Sequence, residues 1–229
     1  MISRLQYWFG NGWIGIVSLL ISAFCVFLSL SVHEFAHGYA AHKLGDDTAK
    51  SMGRLNLSPS SHLDPIGAIC LFLFGFGWAK PVPINPGNFK VGKRKSGMVI
   101  TSIAGPISNL LLAFIALLIM RIIEAFFFAS SQFSAMIFSV LLILLSVLME
   151  MNIGLAIFNL LPVPPLDGSK ILNAVLPARL YFKIMQYEQY GFIILILLLN
   201  LPVFSNLLGF LSNAVFVFYN WVIGLIPFL

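Results

Sequence analysis

Residues 98–120 read MVITSIAGPISNLLLAFIALLIM, without one charged side chain. As a helix this run is ~35 Å long, enough to cross a hydrocarbon core of ~30 Å. Two more runs share its character: 13–32 has no charge, and 136–161 has only Glu150. In lipid each backbone polar group must be satisfied within its own segment, so such runs must be helical. Of 229 residues, 59% are hydrophobic and 9% charged, against ~25% charged in a soluble domain. A soluble fold could not cover that much apolar surface. These properties predict an all-α polytopic integral membrane protein in contact with the lipid bilayer.

The net charge of +5 does not signal a nucleic-acid partner. The basic side chains cluster in two loops, and too little polar surface remains for a phosphate-binding face. Cys25 and Cys70 lie in apolar stretches and read as core residues. The first run follows a single basic residue, Arg4, and has no small-residue cleavage site. It reads as a retained span, not a signal peptide.

The pattern along the chain predicts TM1 at 13–42, TM2 at 98–120 and TM3 at 136–161, with TM3 stopped by Pro162, Pro164 and Pro165. Residues 66–79 are apolar but too short to span, which suits a re-entrant element. PVPINP at 81–86 suggests extended backbone, an edge strand or hairpin lip. Residues 166–188 are amphipathic. The tail crosses once or twice, with a break near Asn200-Leu201-Pro202. The expected architecture is a three-helix catalytic core, a short re-entrant or β-hairpin element and flanking C-terminal helices, giving five or six membrane segments. Residues 1–188 form the core and 189–229 the C-terminal helix or hairpin. Loops 43–97 and 163–190 hold eleven of the thirteen Lys and Arg residues. The positive-inside rule puts both in the cytoplasm.

Ionisable groups are costly in a span and mark function there. VHEFAHGYAAH, at 32–42, closes TM1 with three histidines and a glutamate. His33-Glu34-x-x-His37 puts two imidazoles one turn apart on one helix face, the spacing that holds a zinc ion. Glu34 then lies beside the open metal position as general base. His42 is off that face and reads as a solvated helix-end residue. A hydrolase site needs a third ligand. Asp167, after the break NLLPVPPLDG and on the same membrane side, is the first choice, and Glu150 the second. Asn159 is a candidate oxyanion donor, or else a partner for backbone freed by Pro162. Asn85 and the lip backbone could pair with an extended substrate, and Asn109 adds a polar group one turn beyond Gly105-Pro106.

H-E-x-x-H in the first core helix, with N-x-x-P-x-P-x-x-D-G after the third, resembles the site-2 protease family. Ala104-Gly105-Pro106, Asn109 and the lip KPVPINP extend the resemblance over roughly residues 20–180. It implies one zinc ion per chain held by His33, His37 and Asp167, with Glu34 and Asn159 catalytic. Asn85, Pro86 and Asn109 would meet transmembrane substrates. It also implies a minimal form without PDZ or CBS domain, in a prokaryotic plasma membrane with the active site toward the cytoplasm. The alternative is a proton- or cation-coupled transporter using the same cluster. Substrate sequence, trigger and oligomeric state are not encoded in these patterns.

Overall fold

The computed structural model describes residues 12–74, 78–90, 94–127 and 131–227. Helix α1 (Gly12–Lys43) is TM1. Short helices α2 (Thr48–Ser51) and α3 (Pro59–His62) follow, then α4 (Pro65–Phe74). A 3-10 turn at Pro86–Asn88 ends the lip. Helices α5 (Arg94–Phe126) and α6 (Gln132–Asn159) are TM2 and TM3. Beyond the proline break come α7 (Asp167–Val175), α8 (Ala178–Met185), α9 (Glu188–Leu199) and α10 (Pro202–Ile223).

Helices α1, α5 and α6 pack mutually, and α10 lies outside against α6. Close approach depends on small side chains: Cys25 and Ala113 are fully buried, and Ala116 nearly so, at the centre with Leu117 and Ile153. Without a hydrophobic driving force between helices in lipid, such small contacts carry the association. Cys25 Sγ lies on Leu144 O and Asn152 Nδ2 on Ser29 Oγ, so α6 runs parallel to α1. His37 meets Thr101 while both site histidines meet Gly105, so α5 runs antiparallel.

Four helices are long and apolar enough to cross a membrane, or five if the bent pair α8–α9 counts as one span. Helix α4, which falls on the element expected to be re-entrant, has ten residues and is too short to span. No strand occurs among the described residues, so the expected hairpin is corrected to a single extended segment. Pro81, Pro83 and Pro86 remove its ladder donors, which explains why it stays unpaired. TM2 passes Pro106 without a break.

The lip is nevertheless tied down along its length. Lys80 N donates to His62 O at 2.8 Å, and Lys90 N to Leu44 O at 3.0 Å. Arg54 Nη2 donates to the carbonyls of Lys80 and Pro81. Asn85 N donates to Asp46 Oδ2 at 2.7 Å. The segment that follows α1 thus holds the lip across the end of that helix.

Candidate metal centre and active site

Helix α1 presents His33 and His37 one turn apart, and α7 begins at Asp167 directly opposite them. Gly168 permits that approach. Its φ is not positive; instead a Cβ there would collide with the carbonyl oxygens of Leu160 and Leu161 at the end of TM3. The glycine is therefore required by a close contact, not by a left-handed turn. Asp167 Oδ2 lies 3.1 Å from both His33 Nε2 and His37 Nε2, and the two nitrogens are 3.0 Å apart. All three side chains are buried.

This triangle fits a metal ion. His37 Nδ1 is 2.6 Å from the Thr101 carbonyl, so it carries the proton and Nε2 keeps its lone pair. With Nε2 facing a carboxylate oxygen and a second imidazole nitrogen, the three atoms are placed so that one shared cation can be held among them. Tetrahedral zinc with ligand bonds of ~2.0–2.1 Å has ligand–ligand edges of about 3.3 Å, close to the separations here. Thr101 O also fixes the ring, as outer partners of metal-binding histidines do. On the far side of Asp167, Lys170 Nζ reaches Oδ1 at 3.2 Å, leaving Oδ2 for the centre.

Gly105 completes the wall. A Cβ there would stand about 2.6 Å from Cε1 of both rings and nearer still to His37 Nε2. TM2 therefore lays bare backbone against the imidazoles, and Gly105 serves the site as well as helix packing.

Glu34 is buried, and its Oε2 accepts the Val82 N–H at 2.8 Å. Its Oε1 makes no hydrogen bond among the described residues. The group faces a cleft of ≈ 1020 Å³ shared by His33, His37, Asp167, Asn159 and Pro86. The cleft runs along α1 as far as Ser22, ~16 Å of helix from His33, and is lined on another side by Leu208 and Ser212 of α10. Chemically this is a buried carboxylate beside a triangle of side chains that could hold a metal ion, in a largely apolar groove.

A family model for peptidase family M50 matches residues 21–199. The chain belongs to peptidase family M50, the site-2 proteases. It is 43% identical to "Putative zinc metalloprotease YwhC" of Bacillus subtilis over 187 residues, 82% of this chain and 83% of that one. Rip2 of Mycolicibacterium smegmatis, named in the same terms, is 27% identical over 85% of this chain and 71% of its own. Rip2 of Mycobacterium tuberculosis is 27% identical over 84% and 70%. No solved structure matches. The chain is thus a metalloprotease of the zinc-dependent site-2 type and an integral membrane protein, which sets the transporter alternative aside.

The remaining candidates occupy varied positions. Asn159 lines the M50 cleft, and its Nδ2 donates to Leu155 O in its own helix, not to backbone at the proline break. Asn85 is exposed and is not a cleft residue; its Oδ1 accepts from Gly87 N and its N–H goes to Asp46. Asn109 is fully buried beneath the ligands and does not line the cleft. Glu150 lines the cleft far from the triangle and is not part of it. His42 pairs with Asp47 at the helix end.

Four contributors escaped sequence reasoning: Asp46, Val82, Thr101 and Lys170. Val82 and Thr101 act through backbone atoms, which carry no residue signature. Asp46-x-Thr48 is a capping-type pattern and Lys170 is i+3 from Asp167, so both had a local signal.

Proposed function

We propose that this chain is a zinc-dependent intramembrane endopeptidase that hydrolyses peptide bonds in or near transmembrane helices. Its biological setting would be regulated intramembrane proteolysis or clearance of signal-peptide remnants. The carrying observation is the convergence of His33, His37 and Asp167 beside Glu34 at the head of a groove that follows TM1. His33, His37 and Asp167 would hold one zinc ion per chain, which when bound would supply Lewis-acid polarisation of the scissile carbonyl and a more acidic attacking water.

The protein's own residues do the rest. Glu34 takes the water's proton and returns it to the leaving amine. Val82 N–H holds one of its oxygens, so the carboxylate presents the other. Asn159 has a second amide proton, free of Leu155, for the developing oxyanion. The substrate must unwind locally, because helical amides are already paired. The lip offers it an edge: Ile84 N–H and the carbonyls of Val82 and Ile84 carry no hydrogen bond among the described residues. A strand laid there gains main-chain bonds in exchange for its lost helix. Pro86 shapes the end of that edge, and Asn85 holds it in place through Asp46. Asn109 acts behind the ligands and not on substrate.

We place the catalytic unit in residues 1–188, with 189–229 sealing the groove. The bias of basic residues to loops 43–97 and 163–190 supports a site facing the cytoplasm, and we assign the membrane as a prokaryotic plasma membrane. The test compares wild type with Glu34→Gln against a library of single-span membrane proteins. Cleavage products confined to wild type are expected, and any product surviving in Glu34→Gln removes the mechanism.

A further inference from the structure

Four buried polar atoms near the ligands have no hydrogen-bond partner among the described residues: His33 Nδ1, Asn109 Nδ2, Asn109 Oδ1 and Asn152 Oδ1. Helical register brings them to one level. Asn109 is one turn beyond Gly105, which touches both rings. Because α5 runs antiparallel to α1, that turn moves away from His37 and past His33. Ser29 is one turn before His33 and accepts from Asn152 Nδ2 at 2.8 Å. Ser29, Asn109 and Asn152 are all at 0% exposure. The next turn inward is Cys25, Ala113 and Leu148, all apolar core. Three transmembrane helices therefore share one isolated polar layer under the metal triangle.

The four atoms are chemically complementary. With Nε2 facing Asp167 and His37, Nδ1 of His33 carries the proton and is a donor. Asn109 adds a donor and an acceptor, and Asn152 an acceptor. Two donors and two acceptors match the valence of an ordered water, which needs two to four polar partners. A metal-binding histidine normally donates its second N–H. His37 does so to Thr101 O, whereas His33 has only this layer to turn to.

We propose that the layer holds a buried water that accepts the His33 Nδ1–H and is fixed by Asn109 and Asn152. Asn109 is then a positioning residue for a ligand. The proposal rests on the metal reading above. It gives the buried asparagine of TM2 a task that requires no contact with substrate.

The test is zinc affinity, measured by chelator competition on the purified full chain in detergent or nanodiscs. Asn109→Leu fills the layer with carbon and is expected to weaken zinc about 10- to 100-fold. Asn109→Asp keeps size and acceptor and should bind zinc within a few-fold of wild type. In zinc-loaded wild type with 15N-labelled histidine, the His33 Nδ1–H should give a slowly exchanging resonance. That measurement stands even if Asn109→Leu fails to fold. Wild-type affinity in a folded Asn109→Leu, or a His33 Nδ1 without its proton, overturns the proposal alone. A wild type that binds no zinc overturns the metal reading with it.

Discussion

Glu34 Oε2 accepts the backbone N–H of Val82 at 2.8 Å, so the carboxylate we propose as the base is held by the lip. Hydrogen bonds to a charged acceptor contribute roughly 1.5–3 kcal/mol. Val82→Pro deletes this donor in a segment already rich in proline, and Val82→Ala keeps it while trimming the side chain. We expect Val82→Pro to lower kcat by about 10- to 100-fold with zinc content unchanged, and Val82→Ala to stay within a few-fold. Equal losses in the two variants would show that the side chain, not the N–H, matters.

Gly105 bears on both ligand rings at once. A methyl group there has no free space, and neither ring can retreat while it holds the centre. Gly105→Ala should therefore release zinc, with affinity at least ~10-fold weaker, as for loss of a ligand's outer support. Helical content should persist, because alanine favours helix over glycine. Metal analysis beside far-UV circular dichroism separates the two effects. A variant with full zinc would return Gly105 to a packing role.

The two oxygens of Asp167 meet different partners. Oδ2 faces the histidines, and Oδ1 faces Lys170, whose side chain is 40% exposed. A part-exposed ion pair contributes little, ~0–1 kcal/mol. Asp167→Asn is expected to lose zinc, whereas Lys170→Met should change its affinity by no more than about fivefold. Zinc retained with activity in Asp167→Asn would remove Asp167 as the third ligand.

Legibility followed the physics of each signal. The three long spans and the His33/His37 pair depend on apolar run length and helix periodicity, both local in the chain. Asp167 was reachable only through topology, because 130 positions separate it from His37. The extended backbone of the lip is legible in its alternating prolines, but its partners are not, because they lie in the segment after TM1. Asn109 read as a cleft residue because a polar group near a proline suggests access. Its burial depends on how closely α1 and α6 pack against it, which no single segment encodes.

Asp46 anchors the lip and sets its pH dependence. The residue is fully buried, and its carboxylate accepts from Thr48, from Asn85 N–H and from Asn88 Nδ2. Burial pushes its pKa up, but these hydrogen bonds outweigh burial and hold it below the usual carboxylate range. A folded pKa below the unfolded value of ~3.9 means the anchor's contribution is fully present above that value and is lost as pH falls through the lower, folded one. The exchange protection of the Asn85 amide should thus be flat through neutral and mildly acidic pH and collapse only in strong acid. Asp46→Asn puts donors against donors, so protection should be low at every pH. Turnover should fall several-fold with zinc content unchanged, because Val82 and the Glu34 contact lie on the same tether. Wild-type protection of Asn85 in that variant would show that the ties at Lys80, Lys90 and Arg54 suffice to hold the lip.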